Sequence, residues 1–322
     1  MKASLLFTAL SIAALGLAVP APSAAADSPA AAAAAAAPNR FLAALPAPAE
    51  RFEIKGMLVE RHGSGPRALV MVPGLSCGAW VWQQMVRDFA PGYTVYVVTL
   101  PGFDGRPAVA GDPFDNAVDA LAGLIASRKL VKPVLVGHSI GATLSYALAQ
   151  THPERIGGVV GIDGLAVFPQ TENAPLEQRA LMADNIRKQM ASLAGPASAA
   201  AQQQYMRGVG MIDIGKADDA ARLSARSDPA AAGAYAGAVL GRDLRPGMAK
   251  VTAPVLLLSP YYAPDAAYLG NITSEQKVAY YRTLMGDAPK LEVVAIDKAR
   301  HFAMIDQPEA VTEAVRRFLN RL

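Results

Sequence analysis

A serine acts as a nucleophile only when a neighbouring base takes its proton, so the serines that matter are those a tight turn holds out of their element. Ser139 has that setting. The run Gly137-His138-Ser139-Ile140-Gly141 follows the apolar stretch Val134-Leu135-Val136 and precedes a helix-like pattern at 142–150. A G-x-S-x-G pentapeptide says little by itself. Between strand and helix it says more, because the two glycines permit a sharp turn that exposes the hydroxyl at a sheet edge beside a helix N-terminus. A helix N-cap would account for a serine there but not for both glycines. The chemistry expected of Ser139 is attack on an acyl carbonyl.

Such a serine needs a base, and the chain has four histidines. His138 neighbours Ser139 at the turn, where its side chain points away from the hydroxyl, so support or pocket lining suits it better. His62 lies in a Gly-rich, hairpin-like segment far before the catalytic edge, and His152 starts a loop at the wrong end of the helix. That leaves His301, just past a strand-like run at 291–296 and before the final helix. Serine first and histidine much later is the order this kind of architecture requires.

The elements that must position these residues alternate. Strand-like runs fall at 51–54, 57–61, 68–72, 93–99, 134–136, 158–162, 255–258 and 291–296, with helical patterns at 80–89, 114–129, 142–150, 275–284 and 309–322. Continuous apolar runs such as Val255-Leu256-Leu257-Leu258 fit strands buried on both faces. An opening hairpin followed by βα alternation predicts an α/β fold with a mostly parallel central sheet flanked by helices. One stretch interrupts the rhythm: from about 164 to 250 the pattern is Ala-, Gln- and Met-rich helix, with 176–193 and 199–206 the clearest segments. An insertion that long is far beyond an ordinary connection, and at that place it would sit over the carboxyl edge as a helical lid.

With these motifs in view, the chain resembles the α/β-hydrolase superfamily, in its esterase-like branch with a helical cap. Met71-Val72-Pro73-Gly74-Leu75 looks like the family's oxyanion loop, with Pro73 where histidine is common. Leu100-Pro101-Gly102-Phe103-Asp104-Gly105 looks like the turn after the fourth strand. Arg300-His301-Phe302-Ala303-Met304 looks like the terminal histidine segment, with Arg300 in place of a common glycine. The resemblance implies an α/β-hydrolase fold over 51–322, with Ser139 as nucleophile, His301 as base, and backbone N–H groups of Leu75 and Ile140 as the oxyanion hole. It places the acid after the seventh strand, which selects Asp265. Asp163, at the end of the sixth strand, is the rival, and Asp297 is a third candidate. The implied reaction is hydrolysis of a carboxylic ester through an acyl-enzyme, and no cofactor or metal is expected. Thioesterase, amidase and carbon–carbon hydrolase chemistry fit the same residues, as does a non-catalytic binding module on this scaffold.

Composition narrows the partners. Of 322 residues 52% are apolar and 18% charged, which suits a large buried core, and a net charge of +3 without a basic, aromatic-interleaved block argues against nucleic acid. Residues 1–26 read as a signal peptide: a positive start, a short apolar core, and Ala24-Ala25-Ala26 before Asp27 as a cleavage site. An exported protein, periplasmic or secreted, follows, with no integral membrane span after signal removal. Residues 27–50 are Ala/Pro-rich and read as a linker. Cys77 is the only cysteine, so no intramolecular disulfide is possible, and its apolar setting reads as packing. Met182, Met190, Tyr205, Met206 and Met211 in the insertion suit either an apolar substrate group or helix packing. The expected partner is a small, apolar, ester-like molecule.

Overall fold

The computed structural model describes residues 39–43, 46–267 and 270–322, so the signal segment 1–26 and most of the 27–50 linker lie outside the described residues. The sheet starts with a hairpin. β1 (Glu50–Ile54) and β2 (Met57–His62) are joined at Lys55-Gly56, where both residues take positive φ (48° and 80°), as a two-residue hairpin turn of matching twist demands. β3 (Ala68–Val72), β4 (Thr94–Thr99), β5 (Val134–His138), β6 (Gly158–Ile162), β7 (Val255–Tyr261) and β8 (Leu291–Asp297) complete eight strands in the order β1-β2-β4-β3-β5-β6-β7-β8. The β1–β2 and β2–β4 pairs are antiparallel and every later pair is parallel.

Every residue of β3, β5 and β6 is buried, which requires cover on both faces. The alternation of side chains sorts them. Val70, Val72, Leu135, Val159 and Leu257 face one layer, formed by α2 (Pro113–Ser127), α3 (Ile140–Thr151) and α8 (Ser274–Thr283). Leu69, Met71, Val136, Val160 and Leu258 face the other, formed by α1 (Gln83–Phe89) and α9 (Pro308–Leu319). In α9 the buried set Val311, Ala314, Val315, Phe318 and Leu319 recurs at the helical period, a single apolar stripe laid on the sheet.

Between β6 and β7 the chain leaves the sheet for four helices: α4 (Leu176–Ala191), α5 (Gly195–Tyr205), α6 (Ile214–Ser224) and α7 (Pro229–Gly241). The neck of this insertion is closed. Val167 and Asp243 form an isolated bridge, Leu244 N–H donates to the Ala166 carbonyl at 2.8 Å, and Asp243 accepts from Arg179 (3.0 Å) and Arg245 (2.7 Å). α4 and α7 pack backbone to backbone: a Cβ on Gly237 would lie 2.7 Å from the Ala183 carbonyl oxygen. Ile186, Met190, Tyr235 and Leu240 join the core of one sheet face, whereas Met206, Met211, Ala217 and Leu223 join the other. The insertion thus straddles the carboxyl edge of the sheet. Residues of the linker also dock: Arg40–Ala43 make one helical turn, Phe41 is buried against Trp80, and Arg40 pairs with Asp219 of α6.

Candidate active site

The register of β5 and β6 sets the site. His138 lies opposite Ile162, so the next residues of the two strands, Ser139 and Asp163, emerge side by side at the carboxyl edge. Ser139 N–H donates to the Ile162 carbonyl at 2.9 Å and Asp163 N–H to the Leu258 carbonyl at 3.0 Å, so the sheet ladder itself holds both turns. Ser139 has φ 53° and ψ −123°, a region that costs an L residue about 1–3 kcal/mol and persists only where the surroundings impose it. Its side chain makes no N-cap hydrogen bond to α3, so the serine does not serve as a cap.

Glycines make that turn possible. A Cβ on Gly141 would strike the Val72 carbonyl oxygen, one on Gly137 would strike the Ala142 backbone, and one on Gly164 would strike the Ser139 carbonyl. The start of α3 therefore rests directly on the loop after β3, and a Cβ on Gly74 would lie 3.3 Å from that of Ser139. This brings Gly74-Leu75 beside the nucleophile position. Ile140 is the first residue of α3, with no carbonyl one turn back for its N–H, so it is an open donor at the positive end of the helix.

His301 reaches the same edge from beyond β8. Its Nδ1 donates to Asp163 Oδ2 at 2.6 Å, with the two side chains 16% and 11% exposed. A carboxylate can only accept, so the proton is on Nδ1 and the Nε2 lone pair is left for a second partner. Burial alone would raise the Asp163 pKa. The His301 hydrogen bond, the nearby Lys277 charge and a 2.5 Å hydrogen bond from Tyr281 Oη to Oδ1 outweigh it and hold the group below the usual carboxylate value. Lys277 and Tyr281 stand one turn apart on α8, Tyr281 bonded to Asp163 and Lys277 donating to the Pro260 carbonyl with its charge near that carboxylate. Neither residue stands out in the sequence, where their i, i+4 spacing, which puts both on one helix face, is the one local trace.

Asp265, selected as the acid from the sequence, is not at His301. It takes a bidentate pair from Arg300, Nε to Oδ2 at 2.8 Å and Nη2 to Oδ1 at 2.7 Å. The reason lies in β7. The strand continues through Ser259, Pro260 and Tyr261, paired with Ala295, Ile296 and Asp297, where a presenting loop was expected, and Asp265 follows in a short helical turn beyond. Asp163 needs no such reach. Asp297 accepts from Ser274 Oγ at 3.0 Å, at the start of α8.

His138 lies fully buried under the histidine. Its ring is 4.5 Å from that of His301 and 4.6 Å from Phe302, and Nε2 donates to the His301 carbonyl at 3.0 Å. Burial and the adjacent His301 lower its pKa well below the ordinary value, so it is a neutral support. From the insertion, Tyr205 meets His301 edge-on at 6.2 Å between centroids. Met190, Met206 and Met211 are buried in packing, while Cys77 is buried in an apolar setting that pushes its thiol pKa up. Among the described residues no group of three or more His, Cys, Asp or Glu could hold a metal ion, and no helix is long and apolar enough to cross a membrane.

A strained serine at a glycine-lined strand–helix turn, a carboxylate-bound imidazole and an open helix N-terminus on one sheet edge can form and hydrolyse an acyl intermediate. Known proteins share this frame. A family model described as "Alpha/beta hydrolase family" matches residues 69–314. The chain is 28% identical over 271 residues to a pimeloyl-[acyl-carrier protein] methyl ester esterase of Aeromonas salmonicida (strain A449), covering 81% of this chain and 98% of that protein. It is 27% identical over 276 residues to a 2-(acetamidomethylene)succinate hydrolase of Mesorhizobium japonicum, covering 81% and 91%. Among solved structures, a thermophilic esterase from Thermogutta terrifontis superposes with a TM-score of 0.66 at 22% identity, covering 85% of this chain and 99% of that one. The chain belongs to the α/β-hydrolase family and is a hydrolase.

Proposed function

We propose that the protein hydrolyses an uncharged carboxylic ester through an acyl-enzyme on Ser139, with His301 as general base and Asp163 as the acid that orients it. The observation that carries this reading is the meeting of Ser139 and the hydrogen-bonded Asp163–His301 pair at one edge of the sheet. With its proton on Nδ1, His301 takes the serine proton at Nε2 as the hydroxyl attacks the acyl carbon, and returns it to the leaving alcohol. The oxyanion would lie between the N–H groups of Leu75 and Ile140, each such donor typically worth about 3–4 kcal/mol. Water activated by the same Nε2 then releases the acid.

Preference for an uncharged, apolar ester is supported by the cations around the triad. Arg300 is paired with Asp265, Arg207 with Asp218, and Lys277 donates to the Pro260 carbonyl. The two guanidinium charges are already neutralised by carboxylates, and the ammonium is held at a backbone carbonyl with its charge near Asp163. The test is a panel of neutral esters, monoacid esters, thioesters and amides with wild type and Ser139→Ala. Turnover concentrated on neutral esters and abolished in Ser139→Ala, with an unchanged thermal midpoint, supports the reading. Turnover retained in Ser139→Ala refutes it. We further propose export of the chain with cleavage before Asp27, supported by the Lys2, apolar-core and Ala24-Ala25-Ala26 pattern. Terminal sequencing from the native host decides it, and an intact Met1 on cytoplasmic protein contradicts it.

A further inference from the structure

The residue before His301 departs from the resemblance, and the structure gives it work. All the donors of Arg300 but one are engaged. Nε and Nη2 grip Asp265, and Nη1 donates to the carbonyls of Arg207 (2.8 Å) and Met211 (3.3 Å). Its backbone N–H donates to Asp306 Oδ2 at 2.9 Å, while Asp306 Oδ1 accepts from Ile212 N–H at 3.1 Å. The next two residues continue the contact: His301 N–H donates to the Val209 carbonyl at 3.3 Å and Phe302 N–H to the Gly210 carbonyl at 3.0 Å.

The carbonyls that receive these bonds have one origin. α5 ends in a π-helical turn, Met206–Gly210, closed by Met211 N–H to the Met206 carbonyl at 2.9 Å. The last carbonyls of a helix have no partner within it and carry its negative end. Here those of Arg207, Val209 and Gly210, with Met211 beyond, are satisfied by the segment 300–302. The insertion and the histidine loop are thus one hydrogen-bonded unit, and the guanidinium fork bolts it to the chain after β7.

We propose that Arg300 is a positioning residue that holds His301 in register with the triad by tying its loop to the π-turn of the insertion and to Asp265. The inference rests on the hydrolase reading for its catalytic consequence, and on the hydrogen bonds alone for its structural one. The work is geometric. The fork reaches Asp265 and two carbonyls in different directions, which an ammonium at the end of a flexible stem cannot do.

The experiment compares wild type with Arg300→Ala, Arg300→Lys and Asp265→Asn. The readouts are steady-state kinetics on a short p-nitrophenyl ester, fluorophosphonate labelling, and amide hydrogen exchange of the 300–302 segment. Expected in Arg300→Ala is a kcat lower by about tenfold to a hundredfold, the range for a misplaced catalytic group, with KM little changed. Added guanidinium at sub-denaturing concentration should restore part of that kcat. Exchange at His301 and Phe302 should accelerate, and labelling should slow but still go to completion. Arg300→Lys should fail nearly as badly, and Asp265→Asn, which spares the arginine, should show a smaller loss of the same kind. Wild-type kcat with unchanged exchange in Arg300→Ala, or full function in Arg300→Lys, overturns the proposal. Failure of wild type to label or turn over ester would instead sink the hydrolase reading, and the exchange comparison would still decide whether Arg300 ties the two segments.

Discussion

Replacing Asp163 by asparagine tests the assignment of the acid at the atom where it matters. In the native site Asp163 Oδ1 accepts from Tyr281 Oη at 2.5 Å and Oδ2 accepts from His301 Nδ1 at 2.6 Å. An amide in the same place has one oxygen and one NH₂. The oxygen turns to the Tyr281 hydroxyl, which needs an acceptor, and the NH₂ is left facing His301. Nδ1 must then present its lone pair, the ring proton moves to Nε2, and the base faces Ser139 already protonated. Loss of the correct tautomer in a serine-protease triad lowers kcat by about 10⁴, or about 5.5 kcal/mol of barrier. We expect a loss of that order in Asp163→Asn at neutral pH, with fold retained because the exchange is isosteric. Asp265→Asn, one carboxylate farther out, should stay within the hundredfold range set by its Arg300 contact. The assay is kcat on a short neutral ester for both purified variants. Near-normal turnover in Asp163→Asn, or a four-decade loss in Asp265→Asn, would refute the reasoning.

Two further expectations concern the frame of the site. Gly141→Ala would press a Cβ onto the Val72 and Pro73 carbonyls, both backbone, and should destabilise by about 1–3 kcal/mol, whereas Gly208→Ala meets nothing within 4 Å and should stay within about 0.5 kcal/mol; thermal denaturation of the pair reads the difference. His138 and His62 both have pKa values lowered by burial, so the unfolded chain binds protons that the folded one does not. Their contribution is present above the ordinary histidine pKa and is lost as pH falls below it. The thermal midpoint should therefore drop between pH 7 and pH 5, less steeply in His138→Gln. An equal slope in that variant would remove His138 from the account.

The Gly137–Gly141 turn, the segment around His301 and the 71–75 loop are legible in the sequence because each is a local pattern. Gly137–Gly141 is fixed by the backbone approach to Val72, and β3, β5 and β6 announce themselves by unbroken apolar runs. All eight strands are where the apolar runs place them, with β7 longer by three residues than its run, and that extension carries Asp265 away from His301 to Arg300. Ser259-Pro260-Tyr261 reads as a loop, since proline offers no N–H to a ladder, yet β8 pairs alongside it. The bond of Tyr281 to Asp163 and the grip of Arg300 on Arg207 and Met211 span 89 to 118 residues of chain, and no local pattern encodes such contacts. The docking of Phe41 on Trp80 was hidden for the same reason, inside a segment whose composition reads as linker.

The central claim is that Ser139 is a nucleophile activated by His301. The most direct measurement is mass spectrometry of the protein after reaction with a fluorophosphonate, on wild type, Ser139→Ala and His301→Ala. The account predicts one phosphonyl adduct on wild type, located on the peptide containing Ser139, none on Ser139→Ala, and labelling slowed by orders of magnitude in His301→Ala. A folded wild-type protein that takes up no label, or an adduct on another residue that survives in Ser139→Ala, would contradict it.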